Sequence, residues 1–339
     1  MPPVRIGVIG AGWFASRRHC PDILAHPQAT LTALCRRDPT QLQHMAAAFQ
    51  VEHTYTDYRD LVHSGIVDGV LVCSPHHLHY EHTRAALENG LHVLLEKPIT
   101  IDPAEGRELV ELAAAKNLTL IVAQNPPYWS HCRYLKEQIQ HGRVGEIEAA
   151  QIHWVGNAKA VLGLEELPAD MPGVVQPTLF RQDPAQNGGG FLVDGGSHLL
   201  CELLWCTGLK VVEVTAQMDD AEWDVRAVLT LLLSNGALAT LSNIADSNIR
   251  DKRQHSLYYG ANGTAAMRGF PGRVAIEAAG DSEQVHEKDL PEPPSPVGNF
   301  VDCAQGHGSA EITGETAVHI VEILHAAYAT ARTGRTTSI

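Results

Sequence analysis

An acid and an imidazole stand four residues apart in QNGGGFLVDGGSHLLCELLW, Gln186 to Trp205: Asp194 and His198. If the helix has begun by Asp194, the two side chains lie one turn apart on the same face. An acid beside an imidazole fixes its orientation and raises its basicity, which suits general acid–base work near neutral pH. Taken alone, the pair is better accounted for by a helix-capping aspartate and a buried, satisfied histidine. Lys97 is the third candidate, in HVLLEKPIT, where Glu96-Lys97-Pro98 closes an apolar run that reads as a parallel strand. Open α/β sheets place their ligand crevice at the carboxyl ends of such strands. Pro98 cannot continue a central ladder and biases Lys97 towards extended backbone, so the lysine is aimed into that crevice. The alternative is a surface lysine in a strand-to-helix loop.

Phosphate recognition has its own device near the start of the chain, in GVIGAGWFAS, Gly7 to Ser16. A strand precedes Gly10-x-Gly12-x-x-Ala15, a helix follows it, and the unit ends in a second strand at Leu31 to Cys35. In that setting Gly10 permits the tight turn, Gly12 lets a pyrophosphate approach the backbone, and Ala15 allows the helix to pack on the strand. The helix N-terminus, with Trp13 and Phe14 in its first positions, presents N–H groups and a favourable dipole to the anion. After the second strand, where a cofactor with free ribose hydroxyls usually meets an acid, the chain has Arg36 and Arg37. Two guanidiniums suit a 2′-phosphate, so NADP is preferred and NAD is the alternative. On that alternative the arginines are solvated and Asp38 supplies the acid one position late.

These motifs need a frame to hold them. From Val4 to about Val122, short β-branched or apolar runs alternate with helical patterns: strands at RIGVIG, ATLTALCRR, GVLVCSP, HVLLEKP and LTLIVAQ, with helices between. Repeated β-α-β of this kind predicts an α/β fold, a parallel sheet covered by helices on both faces. After the helix RYLKEQIQHGRVGEI the runs IEAAQIHWV, KVVEVTAQM, RAVLTLLLS, GALATLSNI, QHSLYYGANGTAAMRG and RVAIEAA alternate and are separated by turn signals. They predict one open antiparallel meander with hairpins and a helix or two. LPEPPSPVG reads as an extended connector, and TGETAVHIVEILHAAYATARTG as a closing helix. The division expected is a dinucleotide-binding domain at 1–123 and a substrate-binding and oligomerisation domain at 124–339, with the final helix free to pack back on the first.

The chain has 339 residues, enough for two domains, and its 44% hydrophobic and 19% charged content is that of a globular protein. A formal charge of −14 repels phosphate backbones and anionic lipid surfaces, so neither nucleic acid nor a membrane is an expected partner. No apolar run reaches the roughly 18 residues of a membrane helix, and MPPVRIGVIGAG enters a strand at once, unlike a signal peptide. The seven cysteines form an odd set without a CxxC pair, the usage of a reducing compartment, and the expected location is cytoplasmic. His76, His77, His79 and His82 lack the spacing and the carboxylates of a zinc site, so no metal is expected.

Taken together, GVIGAGWFA, CSPHHLHYEHTRAALENGLHVLLEKPI, RYLKEQIQHGRVGEI, GGGFLVDGGSH and the final helix resemble, in order and over nearly the whole chain, the segments of the Gfo/Idh/MocA family of dinucleotide-dependent oxidoreductases. The resemblance implies an N-terminal Rossmann domain, doubly wound, and a C-terminal α+β domain whose large open, mostly antiparallel sheet often forms a homodimer or homotetramer. Lys97, Asp194 and His198 match the family's catalytic positions. Ser74, Pro75, His76, His79, Glu96 and Asn125 match its segments beside the cofactor. The implied reaction moves a hydride between nicotinamide C4 and a carbinol carbon of a sugar, cyclitol or sugar derivative. His198 would accept the hydroxyl proton, Lys97 would hold the developing charge, and Asp194 would orient His198 or bind a neighbouring hydroxyl.

The chain also departs from the pattern. QNPPYW, Gln124 to Trp129, puts Pro126 and Pro127 where basic residues are common, leaving Tyr128 or Trp129 to stack on a sugar ring. Cys201 stands where many members have an aspartate that touches substrate, and Arg181 in FRQDP either reaches the substrate mouth or is solvated. Two further functions are weighed: a redox-neutral enzyme that retains its cofactor through an elimination, glycoside cleavage or epimerisation, and a non-catalytic dinucleotide sensor.

Overall fold

The computed structural model describes residues 1–249 and 251–339. The chain forms two compact units, the first comprising Met1–Ala123, Glu166–Phe180 and Pro294–Val318. Its elements begin with β1 (Val4–Ile9), α1 (Cys20–Ala25), β2 (Ala29–Cys35), α2 (Pro39–Phe49), β3 (His53–Tyr55) and α3 (Tyr58–Val62). They continue with β4 (Gly69–Val72), α4 (His79–Glu88), β5 (His92–Leu95), α5 (Pro103–Ala115) and β6 (Leu120–Val122). The sheet order is β3-β2-β1-β4-β5-β6 and every pair is parallel. β4 is buried throughout, as is β1 apart from Arg5, as expected of strands covered on both faces. The strand order reverses beside β1, so the carboxyl ends of β1 and β4 flank the position where open α/β sheets bind ligands.

Helix starts follow local chemistry. Asp38 and Asp102 accept from the amides of Gln41 and Ala104, and Pro39 and Pro103 occupy the first turns of α2 and α5. The sixth strand, β3, escapes the sequence pattern because HTY is too short to show a period.

The second unit comprises Gln124–Glu165, Arg181–Pro293 and His319–Ile339. It holds α6 (Ser130–Gln140), β7 (Ile147–Val155), α7 (Pro184–Asn187) and α8 (Ser197–Thr207). Seven strands follow: β8 (Val211–Met218), β9 (Arg226–Leu233), β10 (Leu238–Ile244), β11 (Arg253–Gly260), β12 (Gly263–Gly269), β13 (Arg273–Ala278) and β14 (Asp281–His286). The chain ends with α9 (Pro296–Ala304) in the first unit, α10 (Gly314–Thr333), which runs through Val318 from the first unit into the second, and β15 (Thr337–Ser338).

The second sheet has nine strands in the order β14-β13-β12-β11-β7-β10-β9-β8-β15. Its hairpins β9/β10 and β11/β12 turn where the sequence signals do. The meander is interrupted, however: β7 inserts between β10 and β11 and runs parallel to β10. Alternation reports which face is buried and carries no information about neighbours, so this pairing was invisible in the pattern. One face of the sheet is buried; the other exposes Val228, Leu238 and Tyr259.

Two segments differ from the sequence reading. LPEPPSPVG is extended only at first: Ser295 Oγ accepts the Gly298 amide at 3.0 Å and starts α9 with Pro296 in its first turn. α9 buries Val297, Phe300 and Val301 in the first unit's core beside Ile6, Leu71 and Leu94. Residues 166–180, unassigned by pattern, form a strap within the first unit. Val175 enters the core with Ala11 and Ala15, Trp13 Nε1 donates to Pro172 O at 2.7 Å, and the Val174 amide donates to Ser16 Oγ at 3.0 Å.

Candidate active site

In the first unit the glycine turn follows β1 directly. Gly10 has φ +80°, and a Cβ there would collide with the Ser74 backbone after β4, so only glycine lets these two strand ends approach. The amides of Gly10 and Ala11 both donate to Cys35 O at 3.0 Å, tying the turn to the end of β2. A π-helical turn, Ala15–His19, then leads into α1. Arg36 lies along this turn: its Nη1 donates to Ala11 O at 3.1 Å and would be the nearest atom, at 3.2 Å, to a Cβ on Gly12.

Arg36 Nε is buried without a protein partner among the described residues, and burial lowers the guanidinium's pKa. An anionic group at this position would satisfy both conditions. Arg37 is exposed, and Asp38 spends its carboxylate on the cap of α2. The cradle therefore fits a dinucleotide, with Gly10, Gly12, Trp13, Phe14 and Ala15 at its diphosphate and Arg36 at its far end.

Lys97 follows β5 and is 8% exposed. The Glu96 amide still bonds Val72 O across the ladder, so Lys97 is the first residue past the sheet edge. Beside it, His79 is fully buried with Nδ1 2.7 Å from Pro98 O and Nε2 2.9 Å from Ser74 O. Both ring nitrogens face backbone carbonyls, which only accept, so a neutral ring, with one N–H, donates to one of the two and packs between both strand ends. Burial pushes its pKa down, against the pull of the two carbonyls. His82 Nδ1 meets Ser74 Oγ at 2.9 Å, and burial lowers it to about 4. His76 is buried with its ring edge-on to Phe180, and His77 is exposed. Among the described residues no group of three His, Cys, Asp or Glu side chains is arranged to hold a metal.

In the second unit the DGGSH segment is a π-helical turn, Leu192–Gly196, continuing into α8. Asp194 and His198 are both half-buried, and no side chain caps α8. Asp194 Oδ2 pairs with Arg181 Nε at 3.0 Å, both side chains largely covered, and Arg181 O accepts from Trp223 Nε1 at 2.7 Å. Arg181 is thus neither solvated nor remote: it sits on the acid of the motif. The preceding glycines serve packing. A Cβ on Gly190 would collide with the Asp224 backbone and one on Gly189 with the Tyr328 hydroxyl. Tyr328 donates to Asp224, whose other oxygen accepts the Leu192 amide at 2.9 Å.

One expectation for substrate contact is corrected by burial. Cys201 is fully buried, so it packs in the core where a substrate cannot reach it. Tyr128 is 6% exposed, and Trp129, half-buried, stacks on His131 and meets Phe270 edge-on. Asn125 O accepts the Tyr128 amide at 2.8 Å in the turn before α6. Sequence reasoning missed His19, whose Nε2 lies 2.6 Å from Glu96 Oε1, and Asp224. Neither belongs to a local pattern, and only their burial marks them.

Comparison with known proteins gives two adjoining family matches. Residues 4–124 match the model described as oxidoreductase family, NAD-binding Rossmann fold, and residues 132–266 match the GFO/IDH/MocA C-terminal domain. A D-glucoside 3-dehydrogenase of Escherichia coli is 25% identical over 98% of this chain and 96% of its own length. A dTDP-3,4-didehydro-2,6-dideoxy-alpha-D-glucose 3-reductase of Saccharopolyspora spinosa is 34% identical over 58% of this chain and 54% of its own. Among solved structures, a levoglucosan dehydrogenase in complex with NADH and L-sorbose superposes with a TM-score of 0.85 over 100% of this chain and 99% of that one, at 19% identity, which speaks to fold alone.

Proposed function

The chain belongs to the Gfo/Idh/MocA family of oxidoreductases, and we propose that it is an NADP-preferring dehydrogenase or reductase acting on a secondary alcohol of a sugar, cyclitol or sugar derivative. Membership in a family of enzymes displaces the non-catalytic sensing alternative. The observation that carries the cofactor preference is Arg36, laid along the glycine turn with a buried, unsatisfied Nε. The relatives named for glucoside oxidation and keto-sugar reduction support the substrate class.

When bound, the nicotinamide supplies a hydride acceptor or donor at C4. The protein's part is to position the carbon and manage the hydroxyl proton. His198 takes that proton, and Lys97 holds the negative charge that develops on the oxygen. Asp194, ion-paired with Arg181, orients His198 or binds a neighbouring hydroxyl, and Arg181 limits how far that carboxylate can move. The strap on Trp13 and Ser16 favours slow cofactor release, and with it the second reading of a redox-neutral enzyme that keeps its cofactor through turnover. The exposed apolar side chains of the second sheet suit a homodimer or homotetramer formed through that face.

The test is a fluorescence titration with NADPH and NADH, repeated in Arg36→Asp. NADPH is expected to bind at least tenfold tighter than NADH, with the preference lost in the variant; equal affinities in the native protein would refute NADP preference. Lys97→Ala is expected to lower turnover by about 10²–10⁴-fold while NADPH still binds, the range for lost proton management.

A further inference from the structure

His19 closes the π-helical turn that follows the glycine loop, and Glu96 is the residue before Lys97. The two side chains meet at 2.6 Å, His19 Nε2 to Glu96 Oε1, with the imidazole 2% and the carboxylate side chain 13% exposed. A carboxylate only accepts, so Nε2 carries the hydrogen and donates. The other oxygen, Glu96 Oε2, accepts the amide of Lys97 at 3.2 Å. One carboxylate thus joins an imidazole on the helix that faces the diphosphate to the peptide nitrogen of Lys97. Phe14, at the start of that same helical segment, packs edge-on against the His19 ring at 5.5 Å and holds it in place. On the far side of Lys97, His79 holds Pro98 O at 2.7 Å.

We propose that His19 is a positioning residue: through Glu96 it fixes the backbone from which Lys97 acts, and it couples that alignment to the helix that receives the cofactor. The inference rests on the role given to Lys97 above. A lysine ammonium ends a flexible four-carbon stem, so its placement depends on how firmly its own peptide is held. A misplacement of about 1 Å at a reacting group can cost on the order of 10²-fold in rate. The His79 anchor remains when His19 is lost, so the effect is partial.

The decisive measurement is hydrogen exchange at the Lys97 amide in the cofactor-free protein. His19→Leu and Glu96→Gln should each speed that exchange at least tenfold, while amides of β1 and β4 keep their protection. His19→Gln, which keeps an amide donor, should restore most of it. In turnover with methyl D-glucoside and NADP as probes, kcat should fall about tenfold to a hundredfold in His19→Leu, with the Kd for NADPH changed less than threefold. The double variant should be no slower than the slower single one, since both changes cut one connection.

Exchange at Lys97 that stays at the native rate in both single variants, or multiplicative losses in the double variant, would overturn the coupling. If His19→Leu does not fold, Glu96→Gln alone decides by its exchange at Lys97. Full activity in Lys97→Ala would instead defeat the role given to Lys97. An inactive Lys97→Ala beside unaltered His19→Leu and Glu96→Gln defeats only the positioning inference.

Discussion

Two glycine stretches of this chain have the same grammar and opposite uses. Gly10-Ala11-Gly12 and Gly188-Gly189-Gly190 each lead, within a few residues, through a π-helical turn into an α-helix. At Gly12 the space a side chain would take is bordered by the end of a flexible arginine. At Gly190 that space is filled by the backbone of Asp224, and at Gly189 by the hydroxyl of Tyr328. Gly12 leaves room for a ligand, whereas Gly189 and Gly190, like Gly10 against Ser74, are hemmed in by the protein itself. A glycine run therefore marks a close approach, and only the neighbouring atoms say what approaches.

Substitution by alanine separates the two uses. Gly190→Ala should be the most damaging change, because rigid backbone cannot yield: a loss of about 3 kcal/mol or more in unfolding free energy, seen as a lowered Tm or as insoluble protein. A Gly190→Ala protein with native Tm would remove the packing explanation. Gly12→Ala should leave Tm within a few degrees and weaken NADPH binding by about tenfold or more, because the methyl stands where the diphosphate must approach. Undiminished NADPH affinity in that variant would erase the contrast between the stretches.

The smallest effect sharpens the second region. Burial lifts Asp224 to about 6 from the ordinary 3.8, although the Tyr328 hydroxyl and the Leu192 amide pull it down. A carboxyl whose folded value is raised favours the folded state below about pH 4, and that contribution is lost as pH rises through about 6. The stability difference between the native protein and Asp224→Asn should therefore shrink by about 1 to 3 kcal/mol over that window, read from denaturant unfolding at a series of pH values. A difference that stays flat from pH 4 to 7 would mean that the group does not titrate there.

Much of the architecture is legible in the residues alone because it rests on local physics. Apolar runs such as GVLV and HVLL, with Pro39 and Pro103 opening helices behind capping aspartates, announce a parallel sheet with covering helices. The glycine turn is legible for a similar reason, since Gly10 at φ +80° against Ser74 admits no other residue. By contrast, the insertion of β7 between β10 and β11 is a choice of neighbour, and the return of residues 166–180 to the first unit rests on scattered contacts: the buried Val175, the hydrogen bonds to Trp13 and Ser16, and Phe180 on His76. Neither leaves a periodic trace.

The candidate site divides in the same way. Lys97, Asp194, His198 and Arg36 carry in type and spacing the chemistry that makes them candidates, and that much the sequence by itself determined. What each side chain is bound to was decided by the tertiary structure. It set Arg181 on Asp194, closed both nitrogens of His79 onto carbonyls, removed Cys201 to the core and brought His19 to Glu96 across 77 residues of chain. The reason is physical: a residue's type fixes what it can donate, accept or repel, whereas its partner is fixed by packing among elements distant in sequence, which no local pattern encodes.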